Sequence, residues 1–128
     1  MKRKNISSGA KWEDIVGYSR AVRIVNIVEV SGTAPVDGDK IIGIGNAYEQ
    51  AKYCLQKIEL ALKEAGATLN DVVRTRMFVT DISLWEEFGK AHGEFFKEIK
   101  PVTSMIEIKS LIDPQMLIEI EATAVISE

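Results

Sequence analysis

Apolar side chains recur at two different spacings along this chain, and the change from one to the other marks its elements. Val22 to Ala34 is rich in β-branched residues. Asn26 sits where a hairpin turn would fall, since asparagine tolerates the left-handed conformation. Strands are predicted near 18–24 and 27–33. Pro35, Gly38, Gly43 and Gly45, with Asp37 and Asp39 among them, read as a loop. Asn46-Ala47-Tyr48-Glu49 has a capping-box pattern. Behind it, Ala47, Ala51, Cys54, Leu55, Ile58, Ala61, Leu62 and Ala65 recur at helical spacing, and Gly66 supplies a stop. Val72 to Ile82 predicts a strand with apolar residues on both faces. Ser83-Leu84-Trp85-Glu86 is a second capping-box pattern. It opens a helix whose stripe is Trp85, Phe88, Ala91, His92, Phe95 and Ile99. Pro101 ends that helix, because the residue before proline avoids the helical region. Strands near 103–111 and 117–126 complete the order.

Strand, strand, helix, strand, helix, strand, strand predicts an α+β fold, with two helices on one face of a mixed sheet. No linker, repeat or low-complexity stretch divides residues 1–128, so a single domain is expected. The late strands place Ile106 and Ile108 on one side and Glu107 and Lys109 on the other. In the last strand Ile118, Ile120, Ala122 and Ala124 alternate with Glu119, Glu121, Thr123 and Val125. The second set is of mixed character, which suits a face packed against another subunit. Periodicity allows an oligomer but does not give its number.

Composition narrows the function. The chain carries 46% hydrophobic residues and a net charge of -3, so no global positive field would attract nucleic acid. No apolar run approaches the roughly 20 residues a membrane span needs. The basic start, Met1 to Asn5, lacks the apolar run of a secretory signal. One cysteine cannot form an internal disulfide, which fits a reducing compartment. A cytoplasmic location is expected. A single histidine and a single cysteine cannot build a zinc site without several carboxylates. Gly43-Ile44-Gly45 lacks the further glycine of a phosphate loop. Neither metal nor cofactor is expected.

Three segments carry a family resemblance. They are Val30-Ser31-Gly32-Thr33-Ala34-Pro35-Val36, the strand Val72-Val73-Arg74-Thr75-Arg76-Met77-Phe78-Val79-Thr80-Asp81, and Pro101-Val102-Thr103-Ser104 followed by Ile118-Glu119-Ile120-Glu121-Ala122. In this order and spacing the chain resembles the YjgF/RidA family, the endoribonuclease L-PSP-like proteins, from Gly17 onward. The resemblance implies a chorismate-mutase-like fold, a homotrimer, and clefts between neighbouring subunits that bind a small metabolite. In the family a tyrosine, a serine, an arginine and a glutamate surround an enamine or imine. The arginine pairs with the substrate carboxylate, and the glutamate orients the water that displaces ammonia. Carried over, the tyrosine falls on Tyr18, the serine on Ser31 beside Gly32, and the glutamate on Glu119, with Glu121 as the other register. The arginine falls on Thr103, an asparagine of the second helix on Gly89, and a cysteine on Met105. Threonine offers a hydroxyl but no charge, so the resemblance implies a metabolite-binding trimer or hydrolase whose action on 2-aminoacrylate-type substrates is impaired.

Each candidate has a plainer reading. Tyr18 lines a cleft or packs at a strand edge. Ser31-Gly32 is a site or a turn. Glu119 is a base or an interface carboxylate. Arg20 shares a strand face with Tyr18 and is the first substitute cation, ahead of Arg74 and Arg76; surface ion pairing is the alternative for all three. His92 on an apolar stripe and Cys54 on a helix face read as packed groups, and Trp85 as core, while Trp12 is open. The competing functions are a non-catalytic ligand-binding or regulatory protein and an endoribonuclease or translation inhibitor. The acidic balance argues against the latter.

Overall fold

The computed structural model describes residues 2–127. Its first strand, Arg3–Ile6 (β1), is absent from the predicted order. So is a short helix, Lys11–Val16 (α1). β1 pairs antiparallel with Ala21–Ile24 (β2), which turns through Val25 and Asn26 into Ile27–Thr33 (β3). The hairpin falls where predicted, but its left-handed residue is Val25 (φ 55°), not Asn26. Residues 18–20 precede β2 outside any strand rather than forming its start. The predicted loop contains a small ribbon, Val36–Asp37 (β4) and Lys40–Ile41 (β5).

Ala47–Glu64 (α2) starts where the pattern places it. The Asn46 side chain accepts a hydrogen bond from the Glu49 amide at 3.0 Å. Its other end is closed by Gly66 in the left-handed region (φ 85°), with the Ala67 amide donating to Leu62 O at 2.8 Å. Lys4 Nζ and Arg23 Nη1 donate to Glu64 O and Ala65 O, satisfying carbonyls left free at the helix end.

Val72–Val79 (β6) follows, and then Trp85–Phe96 (α3). The second capping box does not form. Asp81 instead accepts from the Ser83 amide and hydroxyl, at 3.0 and 2.6 Å, and caps a 3-10 turn at 82–84. This turn starts the helix at Trp85, which is exposed and not part of the core. Val102–Glu107 (β7) is shorter than predicted. Glu107 turns its carboxylate to the Ile82 amide, 3.0 Å away, where the strand ends. Ile118–Val125 (β8) completes the sheet.

The fold is α+β. The six-stranded mixed sheet runs β1-β2-β3-β8-β6-β7, and only β6 and β7 are parallel. One face lies under α2 and α3. Ile118, Ile120, Ala122 and Ala124 of β8 are buried there against Cys54, Leu55, Ile58 and Leu62 of α2 and Phe88 of α3. The opposite face carries Glu29, Glu119, Glu121 and Thr123 among the apolar Ile24, Ile27, Ile106 and Val125, which are exposed. Ile106 thus faces away from the core; Met105 packs toward it.

Candidate functional site

Segment 7–20 is built around one buried carboxylate. Glu13 of α1 accepts from the Ser7 hydroxyl (2.9 Å), the Ser8 amide (3.1 Å) and, at close range, the Ser8 hydroxyl. Burial alone would push its pKa up. The two hydroxyls, the amide and the Arg20 charge outweigh burial and hold it below the ordinary value. Gly17 closes α1 in the left-handed region (φ 89°), its amide on Glu13 O at 2.9 Å. This turn delivers Tyr18, half-open to solvent, and then Arg20, which is buried.

Arg20 lies beneath Tyr18, with Cζ 6.0 Å from the ring centroid. Its Nη2 donates to Gly32 O at 2.7 Å, whereas its buried Nε has no hydrogen-bond partner among the described residues. Ser31 donates its hydroxyl to Ser19 O at 2.5 Å, which fixes the side chain and leaves its oxygen to accept. A register irregularity between Val30 and Thr33 opens β3 at this point. Gly32 is needed there. A Cβ would sit 2.8 Å from Cδ of Glu119 and collide with the carboxylate itself. Glu119 therefore rests on bare backbone. Burial raises its pKa, Arg20 opposes this, Glu121 adds to it, and the net direction is upward.

Tyr18 and Ser31 line an open cleft of about 680 Å³ together with Asn5, Glu13, Glu29 and Glu121. Of the two late glutamates, Glu121 reaches this wall, and Glu119 lies beside it over Gly32. Glu121 is engaged with Arg76, 3.7 Å away, so Arg76 takes the ion-pair role. Lys57, which sequence pattern did not single out, donates to Ala34 O (3.2 Å) and Val36 O (2.8 Å) and pins the loop that follows β3. Burial first, and Arg20 second, lower its pKa. Cys54 is fully buried, and burial raises its thiol far above the ordinary range.

The structure brings together Tyr18, Arg20, Ser31, Gly32 and Glu119. It does not bring Thr103 to them within one chain. Thr103 lies on β7, the edge strand, with β6 between it and β8. Its register partner Thr75 is fully buried, and the two hydroxyls share a hydrogen bond of 2.7 Å. Thr75 Oγ1 also lies 2.8 Å from His92 Nε2. Burial lowers the pKa of His92, and its ring centroid is 4.7 Å from that of Phe96. Gly89, on α3, has open space where a side chain would stand. Among the described residues no cluster of histidine, cysteine and carboxylate groups fits a metal ion. Among the described residues no helix is long and apolar enough to cross a membrane.

The family whose model is described as Endoribonuclease L-PSP matches residues 9–126. A crystal structure of Rv2704 from Mycobacterium tuberculosis, described as a member of the YjgF/YER057c/UK114 family, superposes with a TM-score of 0.87. It has 51% identity and covers 98% of this chain and all of that one. The YjgF gene product of E. coli superposes at 0.82 with 28% identity, over 95% of this chain and 98% of its own. The 3-aminoacrylate deaminase RutC of Acinetobacter baylyi is 32% identical over 108 residues, 84% of this chain and 85% of the relative.

Proposed function

The chain belongs to the YjgF/RidA family of endoribonuclease L-PSP-like proteins, and from that premise we propose that it hydrolyses a C=N bond in a small metabolite, with Glu119 as the base. The supporting observation is the placement of Glu119. It rests on Gly32, half-buried, with its pKa raised by burial and Arg20 in electrostatic reach. A carboxylate so placed is a stronger proton acceptor than an exposed one. Glu121 is less suited, because it is engaged with Arg76. In the reaction Glu119 takes a proton from water, and the water oxygen bonds to the imine carbon. The nitrogen gains that proton to give a carbinolamine; the hydroxyl proton then passes by way of Glu119 to the nitrogen, the C–N bond breaks, and ammonia leaves the carbonyl product. Tyr18 offers an apolar wall, the Ser31 oxygen an acceptor, and Arg20 the nearest cation for negative charge.

The site is proposed to be completed by a neighbouring copy in a homotrimer. The uncovered sheet face, with exposed Ile24, Ile27, Ile106 and Val125, gives such an assembly apolar area to bury. A partner's edge strand would bring its own Thr103 to Tyr18 and Glu119. With no guanidinium there, a 2-imino acid loses a charge-assisted fork worth about 3 kcal/mol, roughly a hundredfold in rate.

The test is ammonia release from freshly generated imines. An amine oxidase supplies a neutral imine and an amino-acid oxidase a 2-imino acid. The neutral imine is expected to be hydrolysed well above the buffer rate and the 2-imino acid only slightly above it. Thr103→Arg is expected to raise the second rate. Robust wild-type turnover of 2-imino acids would overturn the weight placed on Thr103. No acceleration of either imine would leave a ligand-binding protein without this chemistry.

A further inference from the structure

Thr103 stands where the family resemblance implies an arginine, and a substrate there must meet a different group. The hydrogen bonds behind Thr103 supply an answer. Thr75 is fully buried, and its one hydroxyl hydrogen has two neighbours within reach, the nearer being Thr103 Oγ1 at 2.7 Å. Its oxygen is also 2.8 Å from His92 Nε2. A neutral imidazole favours its proton on Nε2; His92 then donates to Thr75, and the single Thr75 hydrogen goes to Thr103. The sense of the file is then fixed. The Thr103 oxygen is occupied as an acceptor, and its own hydrogen is left for the open side of β7. Each bond polarises the next, which strengthens the terminal donor.

We infer that His92 is a positioning residue that acts through Thr75 to make Thr103 a one-way hydrogen-bond donor, and that the group bound there is a neutral acceptor such as a carboxamide or ketone oxygen. The inference rests on the reading that Thr103 borders the substrate site. A carboxylate held by one neutral hydroxyl gives up more hydration than that single bond returns. An amide oxygen gives up far less and is satisfied by one donor. The substrate class is therefore an imine or carbonyl compound bearing a neutral oxygen where a 2-imino acid bears its carboxylate. Burial keeps the imidazole neutral near pH 7, so the file presents a donor without presenting a charge.

His92 is the single histidine of the chain, so its ring signals are assigned without ambiguity. A long-range 1H–15N correlation on the wild-type protein reads the tautomer with no ligand present. The Nε2–H form is expected. The Nδ1–H form would reverse the file, turn the Thr103 hydrogen inward, and overturn the inference outright. The ligand is tested with pyruvamide and pyruvate, which match in size and differ in charge, titrated by NMR. Wild type is expected to bind pyruvamide about tenfold more tightly. Thr103→Val and Thr75→Val are expected to reduce that ratio fivefold or more, and Thr75→Ser and His92→Gln, which retain the donors, to preserve most of it. Tighter binding of pyruvate, or binding of neither probe, overturns the substrate class. Imine turnover that persists in that event leaves the proposed function standing, so the two failures are distinguishable.

Discussion

Glu119 and Gly32 form a pair in which one residue's missing side chain makes room for the other's carboxylate. Gly32→Ala puts a methyl group where that carboxylate lies. The end of the Glu119 side chain can swing away, so the chain is expected to fold with a small change in melting temperature. Imine turnover is expected to fall about a hundredfold, the usual cost of misplacing a reacting group by an ångström. Near-normal turnover would remove Glu119 from the chemistry. The pKa directions give a second check. The Glu119 pKa is raised in the folded chain, so folding favours its protonated form. That contribution is complete below the unfolded carboxyl range and is lost as pH rises through the folded pKa. Glu119→Gln is therefore expected to melt higher than wild type at neutral pH, and the two to converge below about pH 4. His92 has the opposite sign. Its pKa is lowered, so its contribution is present above the unfolded imidazole range and is lost as pH falls through the folded value. A melting series from pH 8 to pH 5 on wild type and His92→Gln reads this directly; the variant's curve is expected to be the flatter.

Elements whose order comes from repeating apolar positions were legible in the sequence. α2 and β8 are the clearest, since their buried residues are those the periodicity selects. Elements ordered by single polar contacts were not. Segment 7–17 contains no core-facing stripe; Trp12, Ile15 and Val16 of α1 are all exposed. Its order comes from Glu13 gathering donors from Ser7 and Ser8, which no spacing rule reveals. Gln50 is a similar case. It is fully buried on α2, donates to Gly43 O and Gln115 O, and accepts from the Leu117 amide at 2.8 Å. It ties the start of the helix to the turn before β8. Gln50→Ala is expected to cost about 2–3 kcal/mol in chemical denaturation, because several buried backbone groups lose their partner. The β2–β3 hairpin points the other way. Val25 holds a positive φ that a β-branched residue adopts only under strain. Val25→Gly is expected to stabilise the chain by about 1 kcal/mol, and a loss of stability would show that the turn is not strained. Of the candidate site, Tyr18, Ser31 and Glu119 could be reached from family-like motifs, and Arg20 from its spacing to Tyr18. The Thr75–His92 contact and the Lys57 anchor could not, because each joins residues far apart in sequence through a single hydrogen bond.

At the scale of the molecule, the sheet has one face in the core and one without cover, and its edge strand β7 carries Thr103 away from the other candidate residues. The proposed trimer would accommodate both features, with each copy contributing its β7 edge to the next. Light scattering is expected to give three times the chain mass at micromolar concentration, and a stable monomer would remove the shared site. The most direct measurement of the central claim is complementation between two variants. Glu119→Gln removes the base, and Thr103→Trp blocks the edge strand; each alone is expected to be inactive towards a neutral imine. When the two chains are unfolded together and refolded at equal amounts, a cyclic arrangement gives about a quarter of the sites an intact Glu119 from one chain and an intact Thr103 from its neighbour. Recovery of roughly that share of wild-type activity is the expected result. Activity no greater than that of the separate variants would contradict a site built across the subunit boundary.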